Sequence, residues 1–295
     1  MDLVDTVVAT PRPRPMSEAR SLANAAYRAR SSVLEMSARG GCFVGSALSC
    51  VDLLVELYFR QLRVDPIDPH WDARDIFLLS KGHAVPALYA VLAERGFLRR
   101  ERLMTHLEVE GSVYWHPNRD IPGVELHSGS LGHCLPVGLG IALERARSRD
   151  TDRRQSQVFV MLGDGELNEG SVWESLLVAP QLLSNGLTVI VDRNRIQANE
   201  RTEMLVPLEP LRSKLEAFGW RVVETNGHDF PALERAFELC GERPSVLLAE
   251  TNRGCGVESL QNRVGGWFVH ASPTELELYQ RELLASHRAA WGEQE

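Results

Sequence analysis

The segment QVFVMLGDGE, residues 157–166, runs from an unbroken apolar stretch into an Asp-Gly pair. An unbroken apolar stretch of this length is typical of a strand that is buried on both faces of a parallel sheet. The residues that follow, to about 183, have a helical pattern. The segment therefore predicts the strand, loop and helix unit from which α/β folds are built.

The same unit recurs on both sides of this segment. Further apolar strands are predicted at DIFLLS (75–80), LTVIVDRN (187–194), WRVVET (220–225) and SVLLAE (245–250). Helices are predicted at about 17–38, 50–59 and 84–94, and from about residue 230. Strands that alternate with helices predict an α/β fold with a mainly parallel sheet and helices on both faces. Because such sheets bind ligands at the carboxyl ends of their strands, the loops at 80–83, 163–165 and 192–194 are expected to line a site.

Composition excludes several classes of protein. With 295 residues, of which 44% are hydrophobic and 24% charged, the chain has the balance of a folded globular protein rather than a fibrous or disordered one. The net charge is −8 and no basic stripe is present, so nucleic acid is not an expected partner. No apolar stretch approaches the length that spans a bilayer, so no membrane is expected either.

The five cysteines are odd in number and show no C-x-x-C spacing, which indicates neither a disulfide framework nor a zinc site. A cytoplasmic location is the simplest expectation. Residues 1–16 are rich in proline and are predicted to be a flexible tail. Residues 17–275 are predicted to form one binding domain, followed by a C-terminal helix in residues 276–295.

A cation site is predicted from two polar residues at strand ends. Asp164 lies between Gly163 and Gly165, and Asn194 follows the next apolar strand. An Asp-Gly pair alone is equally typical of a tight turn. Magnesium prefers about six oxygen ligands, and proteins usually hold it with one or two side chains plus phosphate oxygens. Asp164, Asn194 and one backbone carbonyl would leave room for a diphosphate.

Four longer blocks resemble the transketolase family of thiamine-diphosphate enzymes, in the family's order. They are DIFLLSKGHAVPALYAVLAERGFL (75–98), HPNRDIPGVELHSGSLGHCLPVGLGIAL (116–143), VFVMLGDGELNEGSVWES (158–175) and VDRNRIQ (191–197). GDG followed by an asparagine about thirty residues later is similar to the cofactor motif of these enzymes. The resemblance covers about residues 17–275 and implies the diphosphate-binding (PP-type) domain of the thiamine-diphosphate-binding fold.

The resemblance implies roles for individual positions. Asp164, Asn194 and the carbonyl of Ile196 would hold Mg²⁺. The cofactor would be contacted by His83, Gly129, Leu131, Gly163, Gly165 and Glu166. Catalytic roles would fall to His83, to His116 near the donor sugar and to Glu169 in a proton network. Each of these three also has an ordinary structural interpretation: a helix cap, a loop histidine and a first-turn acid favoured by the helix dipole.

In this family a glutamate from a second, pyrimidine-binding domain activates the cofactor. After residue 275 the sequence predicts only one helix, at 275–291, so this chain is not expected to supply that domain. The resemblance therefore implies a split transketolase, in which the pyrimidine-binding domain is a separate C-terminal-type subunit. It implies a heterotetramer, with the isolated chain inactive.

The chain departs from the family at substrate-facing positions. Phe43 and Phe268 stand where the family has histidines, Cys134 replaces a glycine, and His270 lies two residues beyond Phe268. Phenylalanine has no hydrogen-bond donor or acceptor for a sugar hydroxyl. Three hypotheses remain open: two-carbon ketol transfer between sugars with His270 moved into position, decarboxylating acyl transfer from a 2-oxo acid such as pyruvate, and a regulatory subunit without catalysis.

Overall fold

The computed structural model describes residues 16–111, 113–241 and 243–292. The predicted tail lies outside the described residues except for Met16, which begins the first helix. Within the described ranges, no helix is both long enough and apolar enough to cross a membrane.

The strands form one large sheet and one small one. They are β1 Ile76–Leu79, β2 Val158–Gly163, β3 Leu187–Arg193, β4 Ile196–Gln197, β5 Glu200–Arg201, β6 Arg221–Asn226 and β7 Ser245–Glu250. The large sheet has five strands in the order β1-β2-β3-β7-β6, and every pair in it is parallel. The small sheet is the antiparallel pair of β4 and β5. The predicted parallel sheet is thus confirmed.

Helices cover both faces of the large sheet. The α-helices are α1 Met16–Gly40, α2 Val44–Ser49, α3 Val51–Glu56, α4 Val85–Arg95, α5 Cys134–Arg147, α6 Thr151–Arg154, α7 Gly170–Leu182, α8 Thr202–Leu205, α9 Leu211–Ala217, α10 Phe230–Cys240 and α11 Pro273–Trp291. Short 3₁₀ helices occur at Gly82–Ala84, Arg100–Thr105 and Gly165–Asn168, and a π-helical turn occurs at Leu57–Gln61.

Strand β2 shows why its apolar run is unbroken. Phe159 and Met161 pack into the larger hydrophobic core, with α1 to α4 and α10. Val160 and Leu162 point the opposite way, into a second core with α5, α7 and α9. Because successive side chains of a strand alternate between faces, a sheet covered on both sides needs apolar residues at every position.

The predicted helix at 50–59 is wrong in its bounds. Helix begins instead at Val44, is interrupted at Cys50, and ends in the π-helical turn Leu57–Gln61. Four of the five residues at 45–49 are glycine, serine or alanine, which is typical of a loop, but all five residues are buried. Tertiary packing therefore overrides the local preference.

Helix α5 was not among the predicted helices, because Pro136, Gly138 and Gly140 disfavour helix. A side chain at Gly138 would place its Cβ 2.5 Å from Val160 of β2. The glycine is there because the helix lies very close to the sheet.

Candidate functional site

A cavity of about 190 Å³ lies at the carboxyl ends of β1, β2 and β3. The parallel register of β2 and β3 places Gly163 beside Asp192, so Asp164 and Asn194 extend from neighbouring strand ends. Eight of the residues proposed from the sequence line this cavity: His83, Leu131, Gly163, Asp164, Gly165, Glu166, Asn194 and Ile196. Five others that line it were not proposed: Ser46, Lys81, Gln197, Ala198 and Trp267.

Asp164 is a buried carboxylate surrounded by N–H donors. Its Oδ1 accepts the Gly165 amide at 2.8 Å, and its Oδ2 accepts the Arg195 amide at 2.5 Å and Arg193 Nη1 at 3.2 Å. Burial raises the pKa of Asp164 to about 6, with a further increase from the neighbouring Asp192, while Arg193 opposes the change. A buried anion whose charge is disfavoured in this way would be stabilised by a cation in the cavity.

Asn194 offers an amide oxygen at the same place. Its Oδ1 accepts the Ile196 amide N–H at 3.1 Å, and its Nδ2 donates to Asp192 Oδ2 at 3.3 Å. The two hydrogen bonds fix which way the amide faces. Ile196 itself is the first residue of β4 and is buried.

Asp192 is the centre of a buried polar network that sequence reasoning missed. It accepts hydrogen bonds from Lys81 Nζ, from Ser49 Oγ at 2.6 Å and from Thr251 Oγ1. Burial alone would raise its pKa, but the Lys81 ammonium lowers it below the usual range. The network ties the ends of β1, β3 and β7 to α2, and so fixes the shape of the cavity.

We expect Lys81→Met to destabilise the chain by about 3–5 kcal/mol, because it leaves the Asp192 carboxylate buried without its ion-pair partner. Urea unfolding of the purified variant measures the loss. The double variant Lys81→Met/Asp192→Asn should recover part of it, since no uncompensated charge remains. The control is Arg212→Met, which breaks exposed ion pairs with Glu216 and Glu224 and should change stability little. A Lys81→Met protein as stable as the Arg212→Met control would contradict the assignment.

Glu166 connects three loops around the cavity. It accepts hydrogen bonds from Ser80 Oγ, from the Gly132 amide at 2.8 Å and from the Gly163 amide at 3.2 Å. Burial raises its pKa. Both carboxylate oxygens are engaged, so Glu166 holds the loops in place as well as lining the cavity.

His83 lies at the mouth of the cavity within an aromatic cluster. Its Nε2 is 2.8 Å from Ser46 Oγ, and its ring centroid is 4.7 Å from that of Trp267 and 5.6 Å from that of Phe43. Burial lowers the pKa of His83 well below its usual range, helped by the nearby Lys81. The imidazole is therefore neutral, with one ring nitrogen as a hydrogen-bond donor and the other as an acceptor.

The other proposed residues surround the cavity without lining it. Phe43 contacts Phe268 with ring centroids 5.3 Å apart. His116 is exposed and packs over Gly129, where a Cβ would lie 2.7 Å from the histidine ring. Glu169 is exposed at the start of α7.

His270 is separated from the cavity. It lines an adjacent pocket of about 240 Å³ together with Arg253 and Phe268, and it is exposed. The preceding Val269 is fixed by two backbone hydrogen bonds of 2.9 Å with Cys42. The expected movement of His270 into a histidine position near His83 is therefore not what this structure shows.

Arg253 is a second residue that sequence reasoning missed. Its side chain is buried, Nη1 donates to the Ala198 carbonyl at 2.6 Å, and Nη2 has no hydrogen-bond partner among the described residues. The guanidinium carbon lies 5.1 Å from the Trp267 ring. A buried cation with an unpaired N–H favours an anionic ligand nearby. No sequence signal except its basic character indicated this residue.

The cavity fits a diphosphate held through a divalent cation. Hard oxygen donors from Asp164 and Asn194 lie beside a glycine-flanked loop that allows close approach of a phosphate, and the cationic side chains Lys81 and Arg253 lie near it. An open parallel sheet with this site at its strand ends defines an α/β domain that binds a diphosphate-bearing cofactor.

Comparison with known proteins specifies the family. Residues 22–292 match the family described as "Transketolase, thiamine diphosphate binding domain". The chain belongs to this family and is a transketolase-like transferase subunit that binds thiamine diphosphate.

Two similar relatives are separate subunits. The chain is 37% identical over 234 residues to one subunit of the apulose-4-phosphate transketolase of Phocaeicola vulgatus, covering 78% of this chain and 81% of the relative. It is 34% identical over 235 residues to the 6-deoxy-6-sulfo-D-fructose transketolase subunit SqwG of a Clostridium species, covering 78% and 84%. These matches support the assignment as the N-terminal subunit of a split transketolase.

Solved transketolases share the fold. The structure from Pichia stipitis in complex with sedoheptulose-7-phosphate superposes with a TM-score of 0.82 at 26% identity, covering 92% of this chain and 44% of that one. The chain therefore spans less than half the length of the solved transketolases that it matches.

Proposed function

We propose that this chain is the cofactor-binding half of a two-component transketolase that transfers a two-carbon ketol unit together with a separate pyrimidine-domain subunit, in a heterotetramer. The observation that carries the proposal is the cavity at the strand ends, where Asp164, Asn194, Gly165 and His83 come together. When bound, thiamine diphosphate supplies the carbon nucleophile that carries the ketol unit.

The proposed metal ligands are Asp164, Asn194 and the carbonyl of Ile196. This set supplies three oxygens to Mg²⁺ and leaves the remaining positions for diphosphate oxygens and water. The Gly165 backbone and His83 would contact the diphosphate, and Leu131 and Gly129 would line the ring end of the cofactor. Two observations support these roles. All the named residues except Gly129 line one cavity, and burial disfavours the Asp164 anion when no cation is beside it.

Proton transfer is proposed for histidines at the mouth of the cavity. His83 is neutral, so one ring nitrogen carries a lone pair that can accept a proton from a substrate hydroxyl, while burial lowers its pKa and weakens it as a base. His116, which packs over Gly129, would reach the donor from the opposite side. Glu169 is exposed at the start of α7, a place where a carboxylate can contact a second subunit.

The proposed partner contacts are exposed apolar side chains on α5, on α7, and on α8 and the residue that follows it. They are Val137, Leu177, Val178, Leu182, Met204, Leu205 and Val206, each 42% or more exposed. Helices α5 and α7 pack side by side and begin in or beside the loops that border the cavity. Large apolar side chains that are exposed on neighbouring helices such as α5 and α7 are typical of a protein interface.

Two observations favour different donor substrates. The names of the two relatives above contain sugar substrates, which favours a sugar donor. The contact between Phe43, His83 and Phe268 instead favours a donor with fewer hydroxyl groups, such as a 2-oxo acid. The second candidate function is therefore decarboxylating acyl transfer in the same complex.

Replacing Phe43 by histidine should raise kcat/KM for a ketose phosphate relative to pyruvate by roughly 10 to 200-fold, because it restores a hydrogen-bond partner for a donor hydroxyl. Initial rates with xylulose 5-phosphate and pyruvate, measured on the reconstituted complex, give this ratio. Phe43→Leu is the matched control, since it removes the ring without adding a donor or acceptor.

Two results together would contradict the changed-donor hypothesis. The wild-type complex would use xylulose 5-phosphate with kcat/KM of about 10⁴ M⁻¹s⁻¹ or more, and the His270→Ala complex would lose this activity. They would show that His270 serves the sugar in solution.

A further inference from the structure

A second cavity of about 190 Å³ lies between α1, α11 and the loop after β7, and it shares no lining residue with the cofactor cavity. Polar residues lining it are Arg30, Asp52, His228, Cys255 and His287. The Asp52, His228 and Cys255 side chains each offer an atom within 4.8 Å of the others. None of these residues has a role in the proposed cofactor site.

Asp52 holds the other groups in place. Arg30 donates two hydrogen bonds to its carboxylate, from Nη1 at 2.9 Å and from Nη2 at 2.6 Å. His228 Nδ1 lies 2.7 Å from Asp52 Oδ2. The arrangement of Cys255, His228 and Asp52 therefore joins a thiol to an imidazole that is oriented by a carboxylate.

The His228 imidazole in this arrangement favours its protonated form. Burial alone would lower the pKa of His228, but hydrogen bonds with Asp52 and Cys255 raise it to about 9. The Asn252 amide N–H, 2.8 Å from Nε2, favours the neutral imidazole instead, because a protonated Nε2 cannot accept a hydrogen bond from that N–H. The carboxylate is the stronger influence, since charge-assisted hydrogen bonds are about twice as strong as neutral ones.

Arg30 supplies a free donor beside the thiol. Its side chain is nine-tenths buried, and its Nε–H has no hydrogen-bond partner among the described residues. A Cβ added at Gly256, next to Cys255, would lie 3.9 Å from this Nε. An unpaired buried N–H at this position would stabilise a sulfur or oxygen anion formed on Cys255.

A metal site fits these residues less well. Cysteine, histidine and aspartate are zinc ligands, but both oxygens of Asp52 already accept hydrogen bonds from the Arg30 guanidinium. The 2.7 Å distance from His228 Nδ1 to Asp52 Oδ2 leaves no room for an ion between them. The geometry favours thiol chemistry.

The remaining cysteines differ from Cys255 in their burial. Cys42, Cys50, Cys134 and Cys240 are buried, and burial raises the pKa of each. Cys255 is the one cysteine of the chain that is partly exposed. Reactive cysteines typically lie in partly exposed, electropositive surroundings, whereas buried ones are inert.

We propose that Cys255 is a modification site at which hydrogen peroxide oxidises the thiol to a sulfenic acid. The Cys255 thiol loses its proton to water, the protonated His228 beside it stabilises the thiolate, and the thiolate sulfur attacks one peroxide oxygen. The S–O bond forms as the O–O bond breaks, so sulfur is oxidised and the other oxygen leaves as hydroxide, which takes a proton to become water. Arg30 Nε then donates to the new oxygen.

Oxidation of Cys255 would also change the shape of the cofactor cavity. This consequence rests on the proposed function. The segment from Thr251 to Cys255 bonds Asp192 through Thr251 and His228 through the Asn252 amide, and it carries Arg253. A larger group on Cys255 would displace this segment. We expect peroxide treatment to weaken thiamine-diphosphate binding in the native complex and to leave binding by Cys255→Ser unchanged.

The test measures modification of each cysteine in the native chain by mass spectrometry, with iodoacetamide as a probe of thiolate and with peroxide followed by a sulfenate trap. Cys255 should alkylate roughly tenfold faster than glutathione under the same conditions, and the four buried cysteines far more slowly. His228→Asn should reduce the Cys255 rate to that of glutathione, because asparagine can still donate to Asp52 but carries no positive charge to stabilise the thiolate. His287→Asn, in the same cavity, is the matched control and should leave the rate unchanged.

Cys255 that reacts no faster than glutathione in the wild-type chain, or that forms no trapped sulfenate, would overturn the proposal without any variant having to fold. Equal loss of rate in His228→Asn and His287→Asn would also overturn it, since the effect would then be structural. If Cys255 is oxidised and the affinity for thiamine diphosphate is unchanged, only the link between oxidation and cofactor binding is overturned. If the complex binds no thiamine diphosphate before oxidation, only the proposed function is overturned.

Discussion

The purified chain alone is expected to show no ketol transfer, and activity is expected to appear when a separate pyrimidine-domain subunit is added. The physical reason is that the cavity contains the proposed metal ligands, but none of the described residues lining it is a carboxylate free to activate the cofactor ring. Asp164 and Glu166 are both engaged by N–H or O–H donors. The relatives named as subunits, 81% and 84% of whose length this chain covers, support the same division.

The measurement is the initial rate of ketol transfer as the second subunit is titrated, together with the mass of the complex in solution. Association should bury more than the ~1,600 Å² of a standard interface, since obligate interfaces are larger. Leu177→Glu, on the exposed face of α7, should weaken assembly, whereas a charge at Ile67, which is 93% exposed in the loop before β1, should not.

Robust turnover by the chain alone would refute this division of the active site. A complex that assembles and binds thiamine diphosphate but turns over none of the donors would instead favour the third hypothesis, a regulatory subunit.

Asp164→Ala is expected to weaken Mg²⁺-dependent binding of thiamine diphosphate by more than roughly 100-fold, because even residues that only support metal ligands contribute 10–100-fold to metal affinity. Calorimetric titration of the complex with the cofactor, with and without Mg²⁺, measures the effect. The fold should persist, since burial disfavours the Asp164 charge and Arg193 keeps its hydrogen bonds to Glu203 and Glu209 at 2.7 and 3.0 Å.

Asp164→Asn is the matched variant, because it keeps the size and one oxygen but loses the charge, and it should fall between wild type and alanine. Unchanged cofactor affinity in a folded Asp164→Ala complex would show that the metal is held elsewhere.

The location of the cavity was predictable from sequence. Parallel strands that are buried on both faces must be largely apolar, so β1, β2, β3 and β7 are visible as apolar runs, whereas the edge strand β6 is only partly buried. Polar residues directly after such runs must meet at one edge of the sheet, which is how Asp164 and Asn194 were selected. The family resemblance added His83, Leu131 and Ile196, which line the same cavity.

The helical region at 44–61 was harder to predict because its conformation depends on long-range contacts. Glycine and serine at 45 and 46 disfavour helix locally, yet Gly45 packs against Arg253 and Ser46 bonds His83. These contacts form only after distant segments of the chain have met.

The sequence by itself determined the fold class, the order of the strands along the chain and the edge of the sheet at which a ligand binds, because each follows from local apolar periodicity. Only the tertiary structure decided which charges are paired. Lys81 meets Asp192 across 111 positions, and His228 meets Asp52 across 176. No local pattern records such a pairing, because a buried charge is stabilised by whichever partner the fold brings within hydrogen-bond distance.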